Sequence, residues 1–156
     1  MPSFRNERRV RHGAKAMFDL VADVERYPEF VPLCQDLQVR RRTLNGQGVE
    51  VLVADMDVGY RAISEKFTSR VTLDPARLKI VVEHIDGPFS RLENIWNFRD
   101  DPQPDSSCVE FFISYEFRSR VLAALMGSMF DTAFRRFSAA FEARADAVYG
   151  RKAVRP

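Results

Sequence analysis

The sequence predicts an α+β fold: a curved antiparallel sheet wrapped around one long C-terminal helix, with two short helices after the first strand. Three observations predict it. Between residues 35 and 117, extended segments follow one another across short breaks with no room for a crossover helix, so successive strands pair as antiparallel hairpins. From about Ser119 to Tyr149 there is no proline and a single glycine, Gly127, while apolar residues recur at helical spacing. The length of 156 residues suits one domain with one core and is too short for two of normal size.

Phe4 to Val10 reads as the first strand and ends at His12-Gly13. Ala14 to Val24 places Ala14, Met17, Phe18 and Val21 on one helical face. Pro28 stops that helix or restarts a second short turn. Leu37 to Leu44 and Val49 to Val58 flank the turn Asn45-Gly46-Gln47-Gly48, and Gly59 marks a bulge or tight turn. Tyr60 to Leu73, Leu78 to Ile85, Leu92 to Arg99 and Cys108 to Phe117 complete the strands. The breaks between them carry Asp74-Pro75, Asp86-Gly87-Pro88 and Pro102-Gln103-Pro104. Leu92, Asn94, Trp96 and Phe98 alternate onto one face, as do Val109, Phe111, Ile113, Tyr115 and Phe117, so one side of the sheet is covered and the other is mostly wet. The final helix supplies the cover through Leu122, Leu125/Met126, Met129/Phe130, Ala133/Phe134, Phe137, Ala140/Phe141 and Val148, with Gly150 as its stop. Residues 1–150 form a single domain in this reading, and 151–156 a basic, frayed tail.

Composition narrows the function classes. A hydrophobic share of 46% and a charged share of 29% are those of a globular protein rather than a disordered one. Thirteen Phe against one Trp bring apolar area without a polar tip, which suits a core and a lipophilic cavity equally. No run of 18 apolar residues occurs, and Met1 to Arg11 is charged where a signal peptide needs an apolar centre. The chain is therefore expected to stay in the cytoplasm, where it is made. Cys34 and Cys108 have no Cys or His at ligand spacing; both read as small buried hydrophobes, and neither metal nor cofactor is expected. The net charge is only +2, yet Arg5, Arg8, Arg9 and Arg11, then Arg40-Arg41-Arg42, then Arg151, Lys152 and Arg155 gather in patches. Such patches suit RNA or anionic headgroups as well as ordinary solvated faces. No Gly-rich or aromatic-interleaved motif accompanies them, and DNA is not an expected partner.

The segment Tyr27-Pro28-Glu29-Phe30-Val31-Pro32-Leu33-Cys34 is mostly apolar, yet two prolines keep it out of a regular helix or central strand. It is either a plug in the core or the rim of an apolar site. Catalytic signals are weak by comparison. His12 and His84 lack a partner at triad or metal spacing, and no GxSxG, Walker A, GxGxxG, HExxH or CxxC occurs. Asp55 and Asp57 read as solvated strand-end charges. Glu65 shares the face of Ile63 and Phe67 and is the carboxylate placed best to meet a ligand's polar head.

Several blocks together resemble the coenzyme Q-binding START-domain proteins, a branch of the polyketide cyclase and START superfamily with the helix-grip fold. They are Met17 to Glu25 running into the Tyr27–Cys34 segment, Phe67-Thr68-Ser69-Arg70-Val71, Asp86-Gly87-Pro88-Phe89 with Leu92, Trp96 and Phe98, and Ala140 to Ala145. The likeness spans nearly the whole chain in the right order. Where family members often carry Trp before the Cys, this chain has Leu33. The resemblance implies non-catalytic binding of ubiquinone or a related polyprenyl lipid in the grip cavity, in support of respiratory electron transport or quinone synthesis. A related branch, the RatA-like toxins, implies the ribosome as an alternative partner, and a cyclase or hydrolase acting through Glu65 is a third reading.

Under the lipid-binding reading, Pro28, Phe30, Val31, Pro32, Phe89 and Trp96 ring the cavity mouth. Phe111, Tyr115, Met126, Met129, Phe130 and Phe134 form its walls, with Phe67 beside them. Tyr27, Tyr115 or Arg70 supplies a donor to the quinone head. Each buried carbon of an isoprenoid tail contributes ~0.8 kcal/mol, so even partial enclosure gives useful affinity. Peripheral contact with the inner face of the membrane, through the mouth and the basic surface, follows as an expectation.

Overall fold

The computed structural model describes residues 2–60 and 62–150, the Tyr60 side chain excepted; the predicted basic tail 151–156 lies outside the described residues. The elements run β1 (Ser3–Val10), α1 (Ala14–Ala22), a 3-10 helix (Val24–Glu29), β2 (Cys34–Leu44), β3 (Glu50–Tyr60), β4 (Ile63–Asp74), β5 (Lys79–Asp86), β6 (Phe89–Asp100), β7 (Ser107–Phe117) and α2 (Arg120–Tyr149). The seven strands form one antiparallel sheet in the order β1-β7-β6-β5-β4-β3-β2. The helical connection after β1 thus carries the chain from one sheet edge to the other.

Pro28 sits inside the 3-10 helix, where the tighter turn tolerates the missing donor for a few residues. Gly59 lies within β3 opposite Ser64 rather than at a turn of its own. Register shifts at Cys34/Asp36, Val39/Arg41, Thr68/Ser69 and Phe89/Arg91 bend the strands, which gives the sheet its concave face. The alternation expected on β6 and β7 is the one observed: Leu92, Asn94, Trp96, Phe98, Val109, Phe111, Ile113 and Tyr115 are all buried.

Thirty residues of α2 lie across this face, about 45 Å at ~1.5 Å per residue. The Ser119 hydroxyl accepts the Leu122 N–H at 3.1 Å, and Gly150, at φ 87°, ends the helix. Met126, Phe130, Ala133, Phe134, Phe141 and Ala145 point into the core. Leu125 and Val148, expected on that face, are exposed instead, because one stripe of a 3.6-residue helix is too narrow to hold every apolar position. Polar ties lock α2 in place: Arg8 Nε donates to Glu142 at 2.6 Å, His12 Nε2 lies 2.7 Å from Asp146 Oδ1, and Arg144 donates to Glu29 of the 3-10 helix at 2.6 Å.

Among the described residues, the arginine clusters are partly neutralised within the fold. Arg9 pairs with Asp101, Arg40 with Asp55, Arg42 with Glu25 and Glu50, and Arg99 with Glu7 and Glu110, while Arg5 stands over the Phe112 ring at 4.8 Å. Asp55, expected as a solvated strand-end charge, instead sits mid-strand, part-buried, and accepts from Thr68, while the more exposed Asp57 faces Lys66. Cys34 is buried as expected, but Cys108 is only partly covered and its thiol faces Glu7 at 3.4 Å. The reason is parity: Val109 and Phe111 face the core, so Cys108 faces out. No helix among the described residues is long and apolar enough to cross a membrane.

Candidate ligand-binding cavity

Between the concave sheet and α2 the two layers do not meet everywhere, and a cavity of about 90 Å3 remains. Its walls come from four sources: the 3-10 helix and the loop after it (Val24, Tyr27, Val31, Pro32, Leu33), strands β2 to β4 (Leu37, Ala54, Met56, Val58, Phe67, Ser69, Val71), strands β5 to β7 (Val82, Leu92, Asn94, Trp96, Ile113), and α2 (Phe130, Ala133, Phe134, Phe137, Phe141). Among the described residues, Tyr27, Ser69, Asn94 and Trp96 bring the polar side-chain atoms of this lining. Asn94 Nδ2 donates to the Phe112 carbonyl at 2.9 Å, and its Oδ1 accepts the Trp96 Nε1–H at 3.0 Å. Both residues spend their polarity on each other and on the sheet.

Tyr27, Val31, Pro32, Phe67, Trp96, Phe130 and Phe134, expected at the site, are brought together on this cavity. Trp96 lies in its floor, 2% exposed, and not at a mouth, because it sits mid-strand opposite Ile80 and Phe111. The other expected residues fall outside the lining. Phe111, Tyr115, Met126 and Phe89 are consumed by ring and side-chain packing, Phe89 alone meeting Phe67, His84, Tyr115, Phe117 and Phe130. Met129 is half-buried one position round the helix from Phe130. Arg70 faces the outer side, 3.8 Å from Glu83, because Ser69 and Val71 on either side of it face in.

Neither tyrosine proposed as a head-group donor is free in the cavity. The Tyr27 hydroxyl donates to the Val21 carbonyl at 2.5 Å, and burial, with Cys34 and Asp23 adding to it, drives its pKa far above the ordinary phenol value. Tyr115 lies outside the lining, with its pKa raised by burial and then by the Asp131 carboxylate. Glu65 stands on the inner face opposite Val58 but beyond the cavity walls.

The Tyr27–Cys34 segment proves to be a stack of tight turns. Val31 N–H donates to the Tyr27 carbonyl at 2.8 Å and Cys34 N–H to the Val31 carbonyl at 3.2 Å, so the prolines leave few donors unpaired. Leu33 adopts φ 68°, a left-handed conformation that costs a non-glycine residue roughly 1–2 kcal/mol, and it contributes to the cavity wall. Burial pushes the Cys34 thiol up to about 12, with Asp36 and Asp57 contributing, so it is an inert core residue. Pro28 and Phe30 do not line the cavity. Phe30 instead packs edge-on against Phe141 at 5.0 Å and Tyr27 at 6.1 Å under the Arg144 guanidinium. It is a clamp between the 3-10 helix and α2. Phe30→Asp should therefore lower stability, by roughly 2–4 kcal/mol on the scale of a lost buried aromatic. Urea denaturation reads this directly; an unchanged midpoint would place Phe30 outside the packing that holds α2.

Sequence reasoning missed most of the lining, including Ala54, Met56, Val58, Ser69 and Val71. The signal was present in the inner-face parity of β3 and β4. Large Phe and Met side chains drew attention to residues that fill space, whereas small ones leave it open.

His84 is the other unexpected feature. It faces inward on β5 with its ring between Phe67, at 6.4 Å, and Phe89, at 5.4 Å. Both ring nitrogens are shielded from solvent and neither makes a hydrogen bond of ordinary geometry. Desolvation lowers its pKa, with Asp86 and a weak polar contact to the Phe89 backbone opposing the shift. A ring held neutral in the fold binds its proton more readily when unfolded, so stability falls as pH drops through the unfolded value of about 6.5. His84→Phe should narrow the gap between denaturation midpoints at pH 7.5 and pH 5.5. An unchanged gap would assign the acid sensitivity elsewhere.

A seven-stranded concave sheet gripping one C-terminal helix over an apolar cavity matches a known family. Residues 10–142 match the family model described as polyketide cyclase / dehydrase and lipid transport. The chain belongs to this family. A START superfamily protein from Mycobacterium smegmatis superposes with a TM-score of 0.77 over 94% of this chain and 98% of that one, at 20% identity, and shares the helix-grip fold. The ribosome association toxin RatA of Vibrio cholerae is 36% identical over 142 residues, covering 90% of this chain and 93% of RatA. The mitochondrial coenzyme Q-binding protein COQ10 homolog B of Xenopus laevis is 32% identical over 141 residues; the match takes in 88% of this chain but only 55% of that protein. Resemblance to the START and polyketide cyclase group, expected from the Tyr-Pro and Asp-Gly-Pro-Phe blocks, is thereby borne out.

Proposed function

We propose that the chain binds a polyprenyl quinone in the cavity beneath α2 and performs no chemistry on it. The observation that carries this reading is a cavity walled almost wholly by hydrocarbon and aromatic side chains, in a family whose description includes lipid transport and with a coenzyme Q-binding protein among its relatives. Among the described residues, Tyr27 is the only titratable side chain in the lining, and its hydroxyl is already bonded. An acid-base pair for cyclase chemistry is therefore not favoured at this site.

The volume of about 90 Å3 is well below the roughly 300–1,000 Å3 of ordinary ligand sites. Loading thus requires the walls to part, and the half-buried Phe67, Phe137 and Met56 side chains are those with room to turn. Organic extraction of the purified protein followed by mass spectrometry should release a prenyl quinone, at a yield that rises after incubation with added ubiquinone. Absence of any prenyl lipid in both preparations would overturn the reading.

A second reading, association with the ribosome, is favoured by the RatA relative, whose coverage of this chain is as complete as that of COQ10 homolog B. The basic strands spend most of their charge on internal carboxylates, which leaves a modest electrostatic footprint for RNA. Cosedimentation with ribosomal subunits on a sucrose gradient in moderate salt would support it, and sedimentation apart from them would support the quinone reading alone.

A further inference from the structure

The cavity has an apolar lining, yet two polar side chains, Ser69 in its wall and His84 behind Phe67, stand side by side at one end of it. Ser69 lines the cavity, and its hydroxyl makes no hydrogen bond to another described residue. His84 is its direct cross-strand neighbour on β5, so the two side chains rise from the same face about 5 Å apart. The His84 ring nitrogens are buried and make no hydrogen bond of ordinary geometry, only the weak contact to the Phe89 backbone, a state that costs a buried polar group enough to call for an explanation.

Phe67 separates His84 from the cavity. It lines the cavity on one side and meets the imidazole on the other. It is only half-buried, and Gly87 crosses beside it with no side chain to pin it; a Cβ there would stand 2.5 Å from Phe67 Cβ. Rotation of Phe67 would therefore widen the cavity and uncover the imidazole in one movement.

We propose that Ser69 and His84 are the polar end of the cavity, and that on swinging aside Phe67 lets them donate hydrogen bonds to a carbonyl oxygen on the ring of the bound ligand. This rests on the quinone-binding reading and names the groups that recognise the head. A neutral imidazole keeps one N–H to donate and leaves no charge to desolvate. Ser69 adds a second donor at the same edge of the ring. The ligand class is an apolar molecule with an acceptor carbonyl on its ring, and the tail takes the remaining hydrocarbon walls.

The test compares two probes: ubiquinone carrying two isoprene units, and an alkylbenzene of matched tail that lacks the carbonyl oxygens. Trp96, the single tryptophan, lies in the cavity floor, so its fluorescence reports occupancy by either. His84→Phe and Ser69→Ala should each weaken quinone binding about tenfold, the effect of one lost hydrogen bond, and leave alkylbenzene binding within about twofold. Circular dichroism establishes that each variant is folded; if His84→Phe is not, Ser69→Ala decides. Wild-type affinity for the quinone in both variants, or equal loss of both probes, would overturn the proposal while the quinone reading stands. Equal wild-type affinity for the two probes would overturn it too and reduce the cavity to a general apolar site. A wild-type protein that binds neither probe would overturn the quinone reading together with this one.

Discussion

Replacing Phe141 by Ala should cost about 3–5 kcal/mol of folding free energy, the range for deleting a buried aromatic ring. Phe141 is 1% exposed and is the point where three parts of the fold converge. Its ring meets Trp96 of the sheet at 4.9 Å, Tyr27 at 5.3 Å and Phe30 at 5.0 Å. Loss of the ring would enlarge the cavity that it helps to wall, and the surrounding side chains, held in strands and helices, would collapse only in part. With a total stability of about 5–15 kcal/mol for a domain of this kind, the change should lower Tm by roughly 10 °C or more. Calorimetry of the variant measures this. A loss below about 1 kcal/mol would mean that the contact between α2 and the 3-10 helix is not part of the core. Because the variant cavity is larger, added ubiquinone should restore a greater share of Tm to it than to the wild type if the cavity is the ligand site.

The second large effect is expected at Gly87. Its φ of 141° lies where L side chains are strained, and a Cβ would stand 2.5 Å from Phe67 Cβ and 3.0 Å from the Phe67 Cα and His84 Cε1. Gly87→Ala combines a backbone penalty of about 1–3 kcal/mol with overpacking of similar size, so a loss of roughly 3 kcal/mol or more is expected. Neither neighbouring atom of Phe67 lies at the free end of a side chain, and relief requires β4 or the β5–β6 turn to shift. Urea denaturation should show the loss, and a variant as stable as the wild type would mean that this turn moves at little cost. The Asp86-Gly87-Pro88-Phe89 block has its physical reason here: the glycine lets the backbone pass against Phe67, and the turn then delivers Phe89 to the centre of the aromatic cluster.

Much of the architecture was legible before any coordinates. Parity along β6 and β7, turn residues at short intervals and an uninterrupted helical stripe all follow from local backbone geometry, and each element appears within a few residues of its expected bounds. The site was less legible. Met126, Phe111 and Tyr115 have the character of cavity walls, yet each is fully enclosed by neighbours. Ala54, Ser69 and Val58 look unremarkable in sequence and form the open surface. His84 read as a lone strand residue, and its missing hydrogen-bond partners became visible only when Phe67 and Phe89 closed around it.

The Tyr27–Cys34 segment shows where the boundary falls. Its composition determined that this stretch had to be a core plug or the rim of an apolar site, because two prolines keep it out of an α-helix or central strand and water would not accept so much hydrocarbon. Composition and periodicity likewise determined a sheet with one covered face and a long helix to cover it. Only the tertiary structure decided that Tyr27, Val31, Pro32 and Leu33 face the cavity while Phe30 clamps α2 through Phe141. The reason is that period and propensity report which side of an element is apolar, whereas a cavity is a mismatch between two curved surfaces, set by strand bulges, helix placement and the sizes of side chains far apart in sequence.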